Sequence, residues 1–276
     1  TAGLALICIT PVLGALFVRL RYGPTGGSTF QQQMAGNAVS SMLLIAILFE
    51  DEEMMVINKP AGLVVHPGAG NAEGTLLNAL IHYAPELKTL ARAGIVHRLD
   101  KETSGLLVVA RTDRARLSLI EQLQERSVAR EYLALVCGVL VSGGTVDAPI
   151  GRHPTQRTRM AVTSQGRPAV SHYRVVTRYR AHTLVRVSLE SGRTHQIRVH
   201  MAHVHYPVVG DPVYRGRLKL PAGCSDALAA ALRGFRRQAL HATRLGLIHP
   251  VSGEELSWAR PMPEDMQALV DELARD

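Results

Sequence analysis

Apolar residues along the chain fall into short runs separated by polar turns, a pattern typical of β-strands. In the stretch 183–190, Val185 and Val187 alternate with Arg186, so one face of that strand is predicted to be buried and the other to face water. Turn residues at 141–145 and 251–253 predict hairpin turns. Strands are predicted on both sides of an acidic turn within 47–60, and over 63–65, 106–110, 130–138, 169–179, 183–190 and 238–248.

Helical spacing of apolar residues occurs in fewer stretches. Thr75, Asp113 and Thr194 stand where they can cap three of them. Because short strands outnumber helices, we predict an α+β fold with a mixed, mostly antiparallel sheet flanked by helices and loops. The predicted helices cover 75–83, 113–124, 194–206, 224–235 and 263–275.

Residues 1–46 differ from the rest of the chain. The 15-residue apolar run Leu4–Val18 is shorter than the roughly 20 residues of a membrane span. Its positive charges follow the run, whereas a signal peptide carries them in front. We predict that residues 1–46 form an atypical, poorly ordered apolar and linker segment, with a membrane anchor as the alternative. Residues 47–276 are predicted to form the globular domain.

The composition points to an anionic partner. The chain has 276 residues, is 46% hydrophobic and carries a net charge of +8, which excludes general disorder and favours nucleic acid or a membrane surface. Arginine outnumbers lysine by 27 to 4, as suits phosphate contacts and base stacking, although a compositional bias of the genome would have the same effect. Residues 151–200 hold ten arginines and one acid, which predicts an RNA-contacting surface or else a solvated basic sheet face.

Cysteine and histidine spacing argues against metal sites and disulfides. Three scattered cysteines form neither a disulfide framework nor a CxxC site, so a reduced, cytoplasmic protein is expected. His195, His200, His203 and His205 lack the spacing and the additional acid or cysteine of a metal site. We expect these histidines to pack or to contact RNA, and we expect no metal.

One polar loop, His97-Arg-Leu-Asp100, precedes the buried strand predicted over 106–110. An acid on a loop that a rigid element anchors is a common position for chemistry, although a lone loop aspartate is more often a turn or cap residue. Three other segments accompany it along the chain. They are Asn58-Lys-Pro-Ala-Gly62, Arg130-Glu-Tyr132 and Gly192-Arg-Thr-His-Gln-Ile-Arg-Val-His200.

With these four motifs in order, residues 46–275 resemble the RNA pseudouridine synthases of the RluA family. The resemblance implies the pseudouridine synthase fold, with 47–276 as its catalytic domain. The surroundings of Val65-His-Pro-Gly-Ala-Gly70 and Arg152-His-Pro154 are most similar to the branch that modifies a stem-loop of large-subunit (23S) ribosomal RNA. That branch carries an S4-like RNA-binding domain in the place that residues 1–46 occupy here.

The resemblance implies that Asp100 is the catalytic carboxylate, acting either as nucleophile or as base. A guanidinium that lowers its pKa would come from Arg198, with Arg193 as the second choice. Tyr132 would stack on the uracil, and Arg98 would enter the RNA stack in place of the flipped base. No cofactor is implied, because the rearrangement is redox-neutral.

RNA is the predicted partner, as large-subunit ribosomal RNA alone or within the assembling ribosome, and the chain is predicted to be a monomer without membrane contact. Lys59 is predicted either to bind phosphate or to support its turn. Two other classes stay open: a non-catalytic RNA-binding or ribosome-assembly factor, and a membrane-associated protein that uses residues 1–46. The predicted RNA contacts are His97, Arg98, Lys59, Arg152, Arg157, Arg193, Thr194, His195 and Gln196.

Overall fold

The computed structural model describes residues 15–19, 43–68, 70–156 and 158–276, which form two compact units. Most of the predicted segment 1–46 and the predicted RNA contact Arg157 lie outside the described residues. The first unit takes the described residues up to Lys101, together with Gly105–Glu121 and Pro250–Gly253. The second unit takes Glu102–Ser104, Gln122–His249 and Glu254–Asp276.

The first unit is built on four neighbouring strands. The first pair is parallel and the following pairs are antiparallel, and the runs Met54–Ile57 and Leu106–Ala110 are buried on both faces. These continuous apolar runs therefore form the core of the unit. In order, the strands are β1 (Ala15–Arg19), β2 (Leu43–Glu50), β3 (Met54–Lys59) and β4 (Ser104–Ala110).

Two α-helices begin in the first unit, and one of the predicted caps is confirmed. Thr75 forms a capping box with Asn78 at the start of α1 (Leu76–Tyr83). Asp113 is the first residue of α2 (Asp113–Gln124) rather than its cap. Thr112 takes that role, because its Oγ1 accepts a hydrogen bond from the Ala115 amide at 3.2 Å. Short 3₁₀ helices cover Pro85–Thr89 and Ala91–Gly94.

The second unit has an antiparallel sheet and a separate small hairpin. The predicted alternation is confirmed in its strand 182–189, where Val185 and Val187 are buried and Arg186 is exposed. The strands of the sheet are β5 (Ala129–Cys137), β6 (Gly144–Asp147), β9 (Val170–Arg178), β10 (His182–Leu189), β11 (Leu240–Ile248) and β12 (Glu255–Ala259). They lie in the order β12-β11-β5-β10-β9-β6. The hairpin consists of β7 (Ile150–Arg152) and β8 (Met160–Val162).

The hairpin turn predicted over 141–145 is wrong, because β6 pairs with β9 and not with β5. Two side chains hold the start of this segment. Arg178 Nε donates to the Leu140 carbonyl at 2.7 Å, and the Leu140 amide donates to Thr183 Oγ1 at 3.0 Å. The chain is thereby directed past β10 and β9 to the edge of the sheet.

Three helices complete the described part of the second unit: α3 (Gln196–His203), α4 (Asp226–Gly234) and α5 (Glu264–Arg275). The prediction of an α+β fold with a mixed, mostly antiparallel sheet is confirmed. Within the described ranges, no helix combines the length and the apolar character that crossing a membrane requires.

Candidate functional site

The polar loop His97–Asp100 begins at a tightly packed turn in the first unit. Gly94 has a φ of +76°, and a Cβ atom at this position would lie 1.9 Å from the carbonyl oxygen of Ala110. Arg92 and Ala93 before it also have positive φ angles. Ile95 then forms an isolated bridge with Val109 of β4. The chain can approach β4 this closely only because residue 94 lacks a side chain.

Within the loop, alternate residues face the protein. The Val108 amide donates to His97 Nε2 at 3.0 Å, and Leu99 is buried. Arg98 is exposed and Asp100 is half-buried. His97 therefore supports the loop through its Nε2, and its predicted RNA contact stays a prediction. The loop presents Arg98 and the carboxyl group of Asp100 instead.

Lys59 fixes the far end of the loop. Its Nζ donates to the carbonyls of Pro60, Leu63 and Lys101 at 2.8 to 3.0 Å, and the side chain is fully buried. The Gly62 amide donates to the same Lys101 carbonyl at 2.9 Å. Lys59 therefore supports the turn, the second of the two roles expected for it, because its ammonium group lies inside the protein. Two of the four sequence motifs thus meet directly after Asp100.

Basic side chains surround this part of the first unit. Burial lowers the pKa of His66, and the guanidinium groups of Arg92 and Arg98 lower it further. Both arginines are exposed. Their positive potential favours a phosphate backbone beside the loop.

Immediately after the loop, three consecutive residues are held by a segment far along the chain, Arg237–His241, which we call the anchor segment. Arg237 Nη1 donates to the Glu102 carbonyl at 3.3 Å, and Gln238 Nε2 donates to Thr103 Oγ1 at 3.1 Å. Ser104 Oγ and His241 Nδ1 are 2.9 Å apart. All of these residues belong to the second unit. Sequence reasoning missed the anchor segment, because it carries no motif or spacing signal.

In the second unit, Arg198 of α3 forms a buried, bidentate ion pair with Asp211. The Nε–Oδ2 distance is 2.6 Å and the Nη2–Oδ1 distance is 3.1 Å. Asp211 Oδ1 also accepts hydrogen bonds from the amides of Val213 and Tyr214. The guanidinium is thereby fixed in one orientation. Asp211 was not predicted from the sequence, because its role depends on Arg198, which lies 13 positions earlier in the chain.

Tyr214 lies between two arginines. The Cζ atoms of Arg198 and Arg159 are 5.0 and 5.3 Å from the centre of its ring. Its hydroxyl accepts from the Met160 amide at 3.0 Å and lies 2.8 Å from His195 Nδ1. Burial raises the pKa of Tyr214. His195, predicted to contact RNA, is thus half-buried and uses one ring nitrogen inside the protein.

The turn before α3 depends on Gln196. Its Oε1 accepts from Ser191 Oγ and the Arg193 amide, and its Nε2 donates to the Val170 carbonyl and to Ser171 Oγ. The predicted RNA contact of Gln196 is therefore corrected, because this buried amide serves the turn.

The predicted capping role of Thr194 is also wrong. His195, with a φ of 58°, occupies the cap position and makes no capping hydrogen bond with its side chain. Thr194 is exposed instead. Together with Arg152 and Arg193 it lines a cavity of about 400 Å³, so three of the predicted RNA contacts face the same cavity.

Two further predicted residues occupy buried positions. Tyr132 lies on β5, opposite Val187 of β10 and Ala242 of β11, and is 7% exposed. His200 is fully buried, with its ring nitrogens 2.9 Å from Ser171 Oγ and the Ala148 carbonyl. His200 therefore packs inside the protein, one of the two roles expected for it.

The first unit offers a carboxyl group on a loop held at both ends, and the second unit offers a fixed buried guanidinium and a basic surface. Asp100 belongs to the first unit, and Tyr132 and Arg198 belong to the second. A fixed carboxylate can act as a base or as a nucleophile, and neither role needs a metal ion.

Comparison with known proteins shows extended similarity. A family model described as RNA pseudouridylate synthase matches residues 53–203. The chain is 57% identical over 255 residues to "Ribosomal large subunit pseudouridine synthase D" of Xanthomonas campestris pv. campestris, covering 91% of this chain and 77% of that protein. The protein of the same name from Pseudomonas aeruginosa is 56% identical over 246 residues, with 89% and 77% covered.

A solved structure is similar as well. "Human RNA Pseudouridylate Synthase Domain Containing 4" aligns with a TM-score of 0.64 at 28% identity. The alignment covers 83% of this chain and 92% of that one.

Proposed function

Because the chain belongs to the RNA pseudouridylate synthase family, we propose that it isomerises specific uridines to pseudouridine in large-subunit (23S) ribosomal RNA. The chain is an RNA pseudouridine synthase, and residues 47–276 are the part to which we assign catalysis. The observation that carries the proposal is Asp100, on a loop that β4 holds at one end and Lys59 holds at the other. A reaction of this kind requires a carboxylate in a defined position.

The reaction moves a glycosidic bond. The N1–C1′ bond of uridine breaks, the uracil turns, and C5 bonds to C1′, while the C5 proton is lost and N1 gains one. Asp100 either attacks the sugar as a nucleophile or removes a sugar proton as a base. The atoms balance without an oxidant or a reductant. The base must leave the RNA stack before any of these steps.

We assign supporting roles to four side chains and name a fifth as the alternative for one of them. Arg198 provides a positive charge for the reaction, and Asp211 fixes the orientation of its guanidinium. Tyr132 provides an aromatic ring for the uracil. Arg98 is exposed next to Asp100 and is placed to enter the stack that the flipped base leaves. Arg193 is the second choice for the charge partner of Asp100.

The basic surface supports an RNA substrate. Residues 151–200 carry ten arginines and one acid, and such a charge distribution binds phosphates without reading sequence. The names of the curated relatives supply the ribosomal large subunit as the substrate. We propose that the enzyme is a monomer and acts in the cytoplasm. Its substrate is then ribosomal RNA, either alone or in the assembling large subunit.

Pseudouridine mapping tests the proposal. Large-subunit ribosomal RNA is incubated with the wild-type chain, with Asp100→Asn, and with Asp226→Asn, a matched change of an exposed aspartate on α4. We expect specific uridines to convert with the wild type and with Asp226→Asn, and none to convert with Asp100→Asn. RNA binding is measured in parallel, and we expect it to be similar for all three. Conversion by Asp100→Asn at the wild-type rate would refute the role of Asp100.

The competing hypothesis is a non-catalytic RNA-binding or assembly factor. It predicts that the wild-type chain binds RNA and converts no uridine under any condition. The family membership and the fixed position of Asp100 favour the enzyme.

A further inference from the structure

A cavity of about 400 Å³ lies in the second unit between the β7–β8 hairpin and the turn that precedes α3. A volume of this size lies within the usual range of small-ligand sites. Asp100, Tyr132 and Arg198 are not among the lining residues. The residues that line it include Ile150, Arg152, Met160, Arg167, Arg193 and Thr194.

Close backbone packing makes one wall of the cavity rigid. A Cβ atom at Gly166 would lie 2.5 Å from the carbonyl carbon of Ile150, and one at Gly151 would lie 2.6 Å from Thr163 Cγ2. Ile150 and Arg167 exchange two backbone hydrogen bonds of 2.9 Å. The Arg167 side chain therefore extends from a fixed backbone, which reduces the entropy that binding would cost.

The chemistry of the lining favours an anion. Three arginines, Arg152, Arg167 and Arg193, contribute positive charge, and the described residues that line the cavity include no carboxylate. Arg193 Nε donates to the Pro168 carbonyl at 3.1 Å, which orients its guanidinium. Guanidinium groups bind phosphate through two parallel hydrogen bonds.

The same cavity also has apolar and neutral polar surface. Met160, which is partly buried against the core residue Ile150, offers apolar contact for a ribose or a base, and Thr194 and Gln165 offer hydrogen-bonding groups. A free inorganic anion would use only the arginines. A nucleotide, with a phosphate at one end and a sugar and base at the other, uses the whole lining.

We propose that this cavity is a subsite for one phosphate-bearing nucleotide of the RNA substrate, other than the uridine that is isomerised. The inference rests on the proposed function for the identity of the ligand as RNA. Arg167, which no sequence motif singled out, becomes a binding residue. The subsite gives the enzyme a contact with the RNA backbone that involves neither Asp100 nor Tyr132 nor Arg198.

The salt dependence of RNA binding tests this subsite. The probe is a synthetic RNA hairpin with a uridine-containing loop, titrated at several salt concentrations against the wild type and Arg167→Gln. The matched control is Arg233→Gln, because Arg233 is an exposed arginine of α4 that does not line the cavity. Losing one phosphate contact should reduce the slope of log K against log salt by about 0.7 to 0.9. Affinity should fall by about tenfold, as for one charge-assisted hydrogen bond.

A second variant tests the shape of the cavity at unchanged charge. Thr194→Phe narrows it, and because Thr194 is exposed, the protein is expected to keep its thermal unfolding midpoint. We expect Thr194→Phe to weaken hairpin binding as strongly as Arg167→Gln does, while Arg233→Gln binds like the wild type. Equal slopes and affinities for the wild type and Arg167→Gln would overturn the subsite.

Pseudouridine mapping with the same proteins separates the two proposals. If the wild type converts uridines while Arg167→Gln is unchanged in binding, the subsite is refuted and the synthase function stands. If no protein converts uridine but Arg167→Gln and Thr194→Phe both weaken binding, the subsite stands as an RNA site and the synthase function is refuted. If conversion persists with a raised KM and an unchanged kcat in Arg167→Gln, both are supported.

Discussion

Removing the carboxylate of Asp211 should destabilise the protein strongly and abolish its activity. Asp211 and Arg198 are almost completely buried, with side-chain exposures of 0% and 5%. Asp211→Ala removes both contacts to the guanidinium and the acceptor for the amides of Val213 and Tyr214. A buried arginine then loses the charge that balances it in this unit.

The magnitude follows from the burial. Breaking a buried ion pair by removing one partner costs about 3 to 5 kcal/mol of unfolding free energy, whereas an exposed pair would cost less than about 1 kcal/mol. Asp211→Asn should cost less than Asp211→Ala, because the amide oxygen can still accept a hydrogen bond. Arg198→Met alone should also cost several kcal/mol, since it leaves Asp211 buried without the guanidinium.

The coupling energy between Arg198 and Asp211 is measured by urea unfolding of four proteins. These are the wild type, the single variants Arg198→Met and Asp211→Leu, and the double variant. The double variant should be considerably more stable than the sum of the single losses predicts, because neither charge of this pair is left buried without the other. It should nevertheless convert no uridine, since Arg198 is absent. A loss of less than about 1 kcal/mol for Asp211→Ala would refute the reasoning.

Other regions of the structure give three further predictions. Gly94→Ala should destabilise the protein by well over the roughly 1 kcal/mol that a positive φ alone costs, because the new Cβ atom would meet the Ala110 carbonyl. The control in urea unfolding is Gly74→Ala, because Gly74 has a similar φ and open space around it. Equal losses of stability for the two variants would contradict the steric argument. Burial lowers the pKa of His241 to about 4 from 6.5, so the stabilisation by its neutral ring is complete above pH 6.5 and is lost as the pH falls towards 4. The loss should amount to about 3 kcal/mol, and His241→Gln should remove that part of the pH dependence of urea unfolding; an unchanged dependence would count against it. Lys59→Met should lower kcat more than RNA affinity, because Lys59 holds the end of the Asp100 loop and does not reach the surface; a selective loss of affinity would restore the phosphate-binding role.

Local patterns along the chain were sufficient for much of the fold. The alternation of Val185, Arg186 and Val187 identified an amphipathic strand, and Thr75 identified a helix start, because each signal involves residues within four positions of one another. The pairing of strands could not be predicted from such local patterns. The pairing of β6 with β9 depends on contacts that lie far apart in the sequence, so a turn-like composition at 141–145 was misleading.

The candidate site was predictable where a motif carries the reacting group, and not where it depends on distant partners. Lys59 and Gln196 are polar residues inside motifs, which suggested RNA contact. Their acceptors and donors include Lys101 and Ser171, 42 and 25 positions away, and only the fold brings these together. Asp211 and Tyr214 were missed for the same reason. Their roles come from the arginines that surround them in space.

The anchor segment has a consequence for the timing of folding. Its contacts with Glu102, Thr103 and Ser104 span 135 to 137 positions of the chain. Because synthesis proceeds from the N-terminus, the residues that follow Asp100 emerge long before their partners exist. Contacts of such high sequence separation also form slowly once they are available. The three residues directly after the loop that carries the carboxyl group are therefore fixed only after residue 241 has been made, so this part of the fold forms near the end of synthesis.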